Sequence, residues 1–309
     1  MEKVSTPHLL VIGGTGFIGH HLLRVAHQKN WQNTSVSLQP PSNLRLVEGV
    51  RYLHFDLTEL ENAKKYLNEN FDYVVNLGGY INHQNFREGG RTRIETHFNS
   101  LQNLVEVLPR QRLKRFVQIG SSDEYGNAPA PQYEDQREQA ISPYSLAKTA
   151  CTHFLQMLHR TEKFPAVTLR LFLTYGPGQD TKRFLPQIIQ GCLNNEIFPT
   201  SGGEQLRDFC YIDDTVSAII KTLTKTGIEG DVLNVASGEA VPIRTIIEKV
   251  CMITRSGRPK FGEIAYRPGE NMALYADISK VREILDWEPT ISLDVGLKKT
   301  ISFFTDNYV

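Results

Sequence analysis

Through the first half of the chain, short apolar runs alternate with longer stretches whose apolar residues recur at helical spacing. The run "HLLVIGG" (8–14) reads as a buried strand that breaks into glycines. "FIGHHLLRVAHQK" (17–29) carries apolar residues at 18, 22, 23, 25 and 26, one face of a helix. "TSVSL" (34–38) and "VRYLHF" (50–55) predict strands, and "ELENAKKYLNE" (59–69) a helix. The same alternation continues with a strand at 71–79, a helix at 94–108, a strand at 114–122, a helix at 145–161 and a strand at 166–176. Strands and helices in such regular alternation argue for a parallel sheet covered by helices on both faces.

After residue 176 the pattern loosens. "GPGQDTKRFLP" is loop-rich, "LPQIIQGCLN" helical, and "PTSGGEQLRDFCYIDD" irregular. A helix at 213–226 and a strand at 231–235 have the texture of the first half again, and the tail (240–309) mixes short helices with loops. The expected division is a first domain of residues 1–176 with about 213–238 returning to it, and a smaller lobe of 177–212 and 239–309.

Composition narrows the class. Hydrophobic residues make up 40% and charged residues 22%, as in an ordinary soluble globular protein. Lys plus Arg equals Asp plus Glu at 34 each, so no overall basic field draws nucleic acid or an anionic membrane. The apolar run Leu9 to Ile12 is too short for a signal-peptide core, and no window reaches the roughly 18 apolar residues of a membrane span, so a cytoplasmic protein is expected. The four cysteines, Cys151, Cys192, Cys210 and Cys251, form no C-x-x-C pair and read as reduced, buried thiols rather than a zinc site or redox pair. The histidines have no metal-ligand spacing backed by carboxylates; His20, His21, His153 and His159 read as packing or helix-surface residues, and no metal is expected.

Chemistry enters at "GGTGFIG" (13–19), which sits between the first strand and the first helix. Gly13, Gly16 and Gly19 let backbone amides approach a pyrophosphate, which then rests on the N-terminus of the helix begun by Phe17 and Ile18. In that context the motif predicts a dinucleotide site on a Rossmann-type, doubly wound α/β fold. An acidic residue at the end of the second strand would bond the adenosine ribose of NAD and repel the extra phosphate of NADP. "SVSLQPPSNLR" has none there, which leans towards NADP over NAD, with Ser37, Gln39 or Arg45 near the phosphate.

"GSSDEYG" (120–126) ends the strand before the helix of "ISPYSLAKTA" (141–150). Ser121, Tyr144 and Lys148 supply a hydroxyl, a phenol and an ammonium. The i,i+4 spacing puts Tyr144 and Lys148 on one helical face. Lys148 would lower the Tyr144 pKa and hold the nicotinamide ribose. Tyr144 would exchange a proton with a carbinol or carbonyl oxygen that Ser121 also bonds.

The set GGTGFIG, FDLTE, NLGG, GSSDEYG, YSLAK, LRLFLTYGPG, LRDFCYIDD and YRPGENMALYADISKVREILDWEP, in this order over nearly the whole chain, resembles the extended short-chain dehydrogenase/reductase family. The likeness is to its nucleotide-sugar epimerases, dehydratases and 4-keto-sugar reductases. The resemblance implies that Asp56 and Leu57 lie by the adenine and that Leu77 and Gly78 line the cofactor. It implies that Asp123, with Ser121, Tyr144 and Lys148, belongs to the catalytic set. It also implies that Ser122, Arg183, Arg207, Arg267 and Glu270 contact the nucleotide sugar, with Arg207 alternatively pairing with Asp213 or Asp214. A homodimer through the helices after the fourth and fifth strands is the family's habit.

Three departures stand out. His97 replaces the first Asn of the family's N-x-x-G-T-x-N pattern, Leu173 replaces the Asn of R-x-x-N, and Ser122-Asp123 replaces the dehydratases' Asp-Glu pair. These features rank reduction of a 4-keto-6-deoxy sugar nucleotide for surface-glycan precursors first, then 4-epimerisation, then 4,6-dehydration. A catalytically silent cofactor-binding regulator is the reading from a different class.

Overall fold

In the computed structural model, which describes residues 6–79, 84–266 and 269–308, the strand β1 (His8–Ile12) is buried at every position. Its continuous apolar character is what a strand covered on both faces requires. There follow α1 (Phe17–Gln28), β2 (Gln32–Ser37), β3 (Arg51–His54), α2 (Leu60–Tyr66), β4 (Tyr73–Asn76), α3 (Gly90–Val107), β5 (Arg115–Ser121), α4 (Pro143–Glu162) and β6 (Ala166–Leu171). The chain continues through β7 (Leu173–Tyr175), α5 (Phe184–Leu193), β8 (Ile197–Thr200), β9 (Leu206–Arg207), β10 (Phe209–Tyr211), α6 (Ile212–Thr224) and β11 (Val232–Val235). It ends with β12 (Val241–Pro242), α7 (Ile243–Thr254), β13 (Arg258–Phe261), β14 (Ala273–Leu274), α8 (Ser279–Leu285) and α9 (Leu293–Tyr308).

Seven strands form one sheet in the order β11-β6-β5-β4-β1-β2-β3. β1 pairs in parallel with β2 on one side and β4 on the other. The chain therefore winds outward in opposite directions from β1, and the loop after β1 opens at the switch point where such sheets bind ligands. The expected Rossmann-type parallel sheet is thus present. Leu101 and Leu104 of α3 and Leu155 and Leu158 of α4 pack on Phe116, Val74 and Leu10 of the sheet. Each such fully buried side chain stabilises the fold by about 1.5–3 kcal/mol.

The chain divides into two compact units. One holds Met1–Gly126, Arg137–Arg170 and Val216–Leu233; the other holds Asn127–Gln136, Leu171–Thr215 and Asn234–Val309. The expected division leaves 127–136, 171–176, about 213–215 and 234–238 with the first domain. Gln132 explains the first of these: its amide nitrogen donates to the carbonyls of Ala128 and Ala273, and its Oε1 accepts from the Tyr275 N–H. The expected strand over 166–176 is interrupted at Phe172, and the irregular stretch 199–214 contains the short strands β9 and β10. No helix among the described residues is long and apolar enough to cross a membrane.

Candidate active site

The glycine turn follows from close backbone packing. Gly13 has a φ of +79°, and a Cβ there would stand 3.2 Å from the Leu77 carbonyl oxygen. A Cβ on Gly19 would come within 2.3 Å of the Gly13 oxygen and 2.6 Å of the Gly14 Cα, so α1 can lie against the turn only with glycine at 19. Gly16 differs: its Cβ would meet only the Gly13 oxygen, at 3.2 Å, leaving open space beyond. Gly16 is the N-cap of α1 and brings no side-chain cap to the first-turn amides of Phe17 and Ile18. That open cradle at an uncapped helix start fits a dinucleotide pyrophosphate. Gly14, not singled out in the sequence, is equally constrained, since a Cβ there would meet Ser35 Oγ at 2.4 Å.

At the end of β2, the Thr15 N–H donates to Ser37 Oγ at 3.3 Å, and Arg45 Nη1 donates to the Thr15 carbonyl at 3.4 Å. Ser37 and Arg45 therefore converge on the glycine turn, whereas Gln39 is exposed. Asp56 accepts from the Thr58 N–H and hydroxyl, both at 2.8 Å, which makes the turn that carries Leu57. Asn103 of α3 donates to the carbonyls of Leu57 and Thr58. Leu77 donates its N–H to Ile12, and the Gly78 N–H donates to Asn76 Oδ1 at 3.0 Å. Asn76 opens the NLGG motif, and Asn103 is the residue on which the family's N-x-x-G-T-x-N pattern aligns; the bonds each makes were not readable from the sequence.

β5 ends at Ser121, and one turn of 3-10 helix over Ser122–Tyr125 follows. Ser121 Oγ accepts the Asp123 N–H at 3.1 Å, while Glu124 Oε1 accepts the Ser121 N–H at 2.9 Å, a reciprocal cap. Ser122 is buried and Asp123 half-buried. The turn ends at Gly126, where a Cβ would collide with the Gln139 carbonyl.

α4 starts at Pro143 behind the N-cap Ser142, whose hydroxyl accepts the Ser145 N–H at 3.1 Å. Proline at the first helical position and a serine cap are why the helix begins there. The helix starts two residues earlier than expected, and Tyr144 therefore stands inside it. Tyr144 and Lys148 are 4% and 5% exposed. Lys148 Nζ donates to the Ile119 carbonyl of β5 at 2.9 Å and lies 5.9 Å from the Tyr144 ring centroid. Burial pushes the Lys148 ammonium down, opposed by nearby negative charge that includes Glu124. The His97 ring meets the Tyr144 ring edge-on at 5.5 Å. α4 and β5 thus bring Ser121, Asp123, Tyr144 and Lys148 into one unit, and Lys148 ties the two elements together.

Among the other histidines, His20 and His21 are buried against each other in α1, and burial next to His21 pushes His20 down to about 3. His153 is an exposed partner of Glu138. All four cysteines are free thiols. Cys192 and Cys251, though far apart in sequence, have sulfurs 3.5 Å apart where α5 and α7 pack together, and Cys251 is half-buried rather than buried.

In the second unit, Arg207 pairs with Glu270, not with Asp213 or Asp214. Asp214 is occupied by the N–H groups of Thr290 and Ile291. Arg207 Nη1 also donates to its neighbour's carbonyl, Leu206, at 2.8 Å. Beside it, Asp208 is fully buried and accepts from Ser237, Gly238 and Ala276; burial nonetheless pushes its pKa up. Arg183 is the N-cap residue of α5. Arg267 lies outside the described residues.

Comparison with known proteins agrees with this geometry. The chain is 27% identical to a dTDP-glucose 4,6-dehydratase of Haemophilus influenzae over 97% of its own length and 98% of the relative's. It is 26% identical to an uncharacterized UDP-glucose epimerase of Bacillus subtilis, over 97% and 98%. Among solved structures, a UDP-glucuronic acid 4-epimerase variant of Bacillus cereus, in complex with UDP-4-deoxy-4-fluoro-glucuronic acid and NAD, superposes with a TM-score of 0.88 at 27% identity. It covers 97% of this chain and 100% of that one. Residues 9–236 match the NAD dependent epimerase/dehydratase family. With its switch-point glycine turn and its Tyr144–Lys148 helix in family order, the chain is an enzyme of that family, within the extended short-chain dehydrogenases/reductases.

Proposed function

We propose that this enzyme works at C4 of a UDP- or dTDP-linked hexose as a 4-epimerase. The observation that carries the reading is the make-up of the turn after β5. Tyr144 and Lys148 are buried together, while of the two adjacent carboxylates Glu124 is consumed by internal bonds and only Asp123 stays half-exposed. Elimination of water needs both an acid and a base beside the tyrosine. Oxidation and re-reduction at one carbon need only the tyrosine.

In this reading Tyr144 takes the proton of the C4 hydroxyl and returns it after the keto group has presented its other face. Lys148 stabilises the phenolate by its charge, and Ser121 bonds the C4 oxygen throughout. Gly13, Gly16 and Gly19 cradle the dinucleotide, with Phe17 and Ile18 at the helix start. A dinucleotide held there would supply the acceptor and then the donor of the C4 hydride. Arg207 and Glu270, with Arg183, Ser122 and Arg267, are assigned to the nucleotide sugar, and a homodimer is the assembly we expect.

Reduction of a 4-keto sugar nucleotide is the second reading. It is favoured by Ser37 and Arg45 at the glycine turn and by the missing acidic residue on β2, which suit NADP. It ranks second because the relatives described above are named for epimerisation or dehydration. The test is to incubate the purified enzyme with UDP-glucose, UDP-glucuronic acid and dTDP-glucose and to analyse products. A C4 epimer without net cofactor change supports the proposal. A 4-keto-6-deoxy product, or steady consumption of NADPH with a 4-keto sugar nucleotide, overturns it.

A further inference from the structure

We propose that Glu124 is a positioning residue that holds Ser121 in place for its bond to the substrate oxygen, through a buried cluster with Arg170 and Thr152. The inference rests on the role given to Ser121 above.

Glu124 is wholly buried, although it lies in a loop of polar residues. Its two oxygens are divided between two tasks. Oε1 accepts the Ser121 N–H at 2.9 Å. Oε2 accepts Arg170 Nε at 3.0 Å and the Thr152 hydroxyl at 2.9 Å. Arg170 on β6 is itself buried, bonds Glu138 Oε1 at 2.5 Å, and lies 4.6 Å over the Tyr125 ring. The carboxylate is therefore gripped from β6 and α4 while it holds the end of β5.

Such a buried ion pair adds little net stability, because desolvating both charges offsets most of their attraction. A hydrophobic pair of similar volume would serve packing as well. It would not accept the Ser121 N–H, nor keep Ser121 extended (φ −148°, ψ 146°) with its hydroxyl set against the Asp123 N–H. The same carboxylate lies close enough to Lys148 to favour its ammonium form, against the burial that opposes it. The other charged groups of this cluster are Arg170 and Glu138, and Cys151 also faces Lys148.

The test is a double-mutant cycle in the full chain. Glu124→Gln and Thr152→Val are each made with Ser121 intact and with Ser121→Ala. Turnover is measured on whichever of UDP-glucose, UDP-glucuronic acid and dTDP-glucose is converted fastest, alongside cofactor affinity by calorimetry. With Ser121 intact we expect Glu124→Gln to lower kcat about 10- to 100-fold and Thr152→Val about 3- to 10-fold, since small misplacements of a reacting group cost this much. In the Ser121→Ala background Thr152→Val should cost less than about twofold, because the group being positioned is gone, and Glu124→Gln should keep only the smaller loss that comes through Lys148. Cofactor affinity should not change.

Equal losses in both backgrounds, or no loss with Ser121 intact, would overturn the proposal while leaving Ser121 in the reaction. Undiminished kcat in Ser121→Ala alone would remove Ser121 from the mechanism and the proposal with it. Hydrogen exchange needs neither substrate nor the Glu124 variant. Thr152→Val should speed exchange in residues 119–126 without changing it in α1, and unchanged exchange there would equally overturn the proposal.

Discussion

At the scale of single residues, the proposed chemistry depends on a phenol and an ammonium held one helical turn apart. Tyr144→Phe keeps the ring and its packing against His97 but removes the proton carrier. Turnover should fall about 10²–10⁴-fold, the usual contribution of general acid–base catalysis, with cofactor binding intact by calorimetry. Near wild-type turnover would remove Tyr144 from the mechanism. Asp123 gives the opposite expectation. If only Tyr144 moves protons, Asp123→Asn should retain at least about a tenth of the wild-type rate; complete loss, with a 4-keto-6-deoxy product in the wild type, would point to elimination. Ser121, Tyr144 and Lys148 were legible in the sequence because their spacing is local and their types are chemically distinctive. The bond of Lys148 to Ile119 and the internal use of Glu124 were not. Both depend on which residues of β5 and β6 lie beside α4, which no local pattern encodes.

At the scale of elements, the junction of β1 and α1 separates two roles of glycine that look alike in "GGTGFIG". A Cβ at Gly19 would strike backbone atoms of Gly13 and Gly14, whereas one at Gly16 would meet only the Gly13 oxygen. Gly19→Ala should therefore lower both thermal stability and dinucleotide affinity. Gly16→Ala should cost less stability than Gly19→Ala, and Gly16→Val should abolish dinucleotide binding by filling the cradle. Undiminished affinity in Gly16→Val would move the pyrophosphate elsewhere. α1 also carries a pH-dependent cost. Burial beside His21, Arg45 and Arg24 holds His20 neutral in the fold down to about 3, far below its value of 6.5 in the unfolded chain. Between those two values the unfolded state binds the extra proton, so stability falls as pH drops below 6.5. His20→Gln should flatten this dependence in melting temperatures measured from pH about 7.5 to 5, and an unchanged slope would mean that His20 is not the group responsible. The helix face was readable from its apolar spacing. The sequence left His20 and His21 between packing and helix surface, and the structure buries both.

At the scale of the whole molecule, the alternation of strands and helices foretold the sheet, but the outline of the two units was harder to read. Asn127–Gln136 belongs to the second unit because Gln132 bonds residues 273 and 275, contacts made across a long stretch of chain. Composition reaches only the coarsest level, a neutral surface suited to a small-molecule enzyme. The proposed assignment of the glycine turn to the dinucleotide and of Arg207 to the nucleotide sugar leads to a sharper expectation. The glycine turn lies in the first unit and Arg207 in the second. Arg207 is 12% exposed, and Glu270 and the Leu206 carbonyl hold its guanidinium. If it also binds the sugar nucleotide's diphosphate, Arg207→Ala removes a charged hydrogen bond that typically contributes about 1.5–3 kcal/mol. Nucleotide-sugar affinity should then fall about 10- to 100-fold, while dinucleotide affinity stays within about twofold. Gly16→Val should show the reverse pattern, losing the dinucleotide first. Calorimetry of each variant with each ligand checks both halves. A loss of thermal stability in Arg207→Ala without loss of nucleotide-sugar affinity would confine Arg207 to holding β9 against β14. Equal losses for both ligands would mean that the two units do not divide the ligands between them.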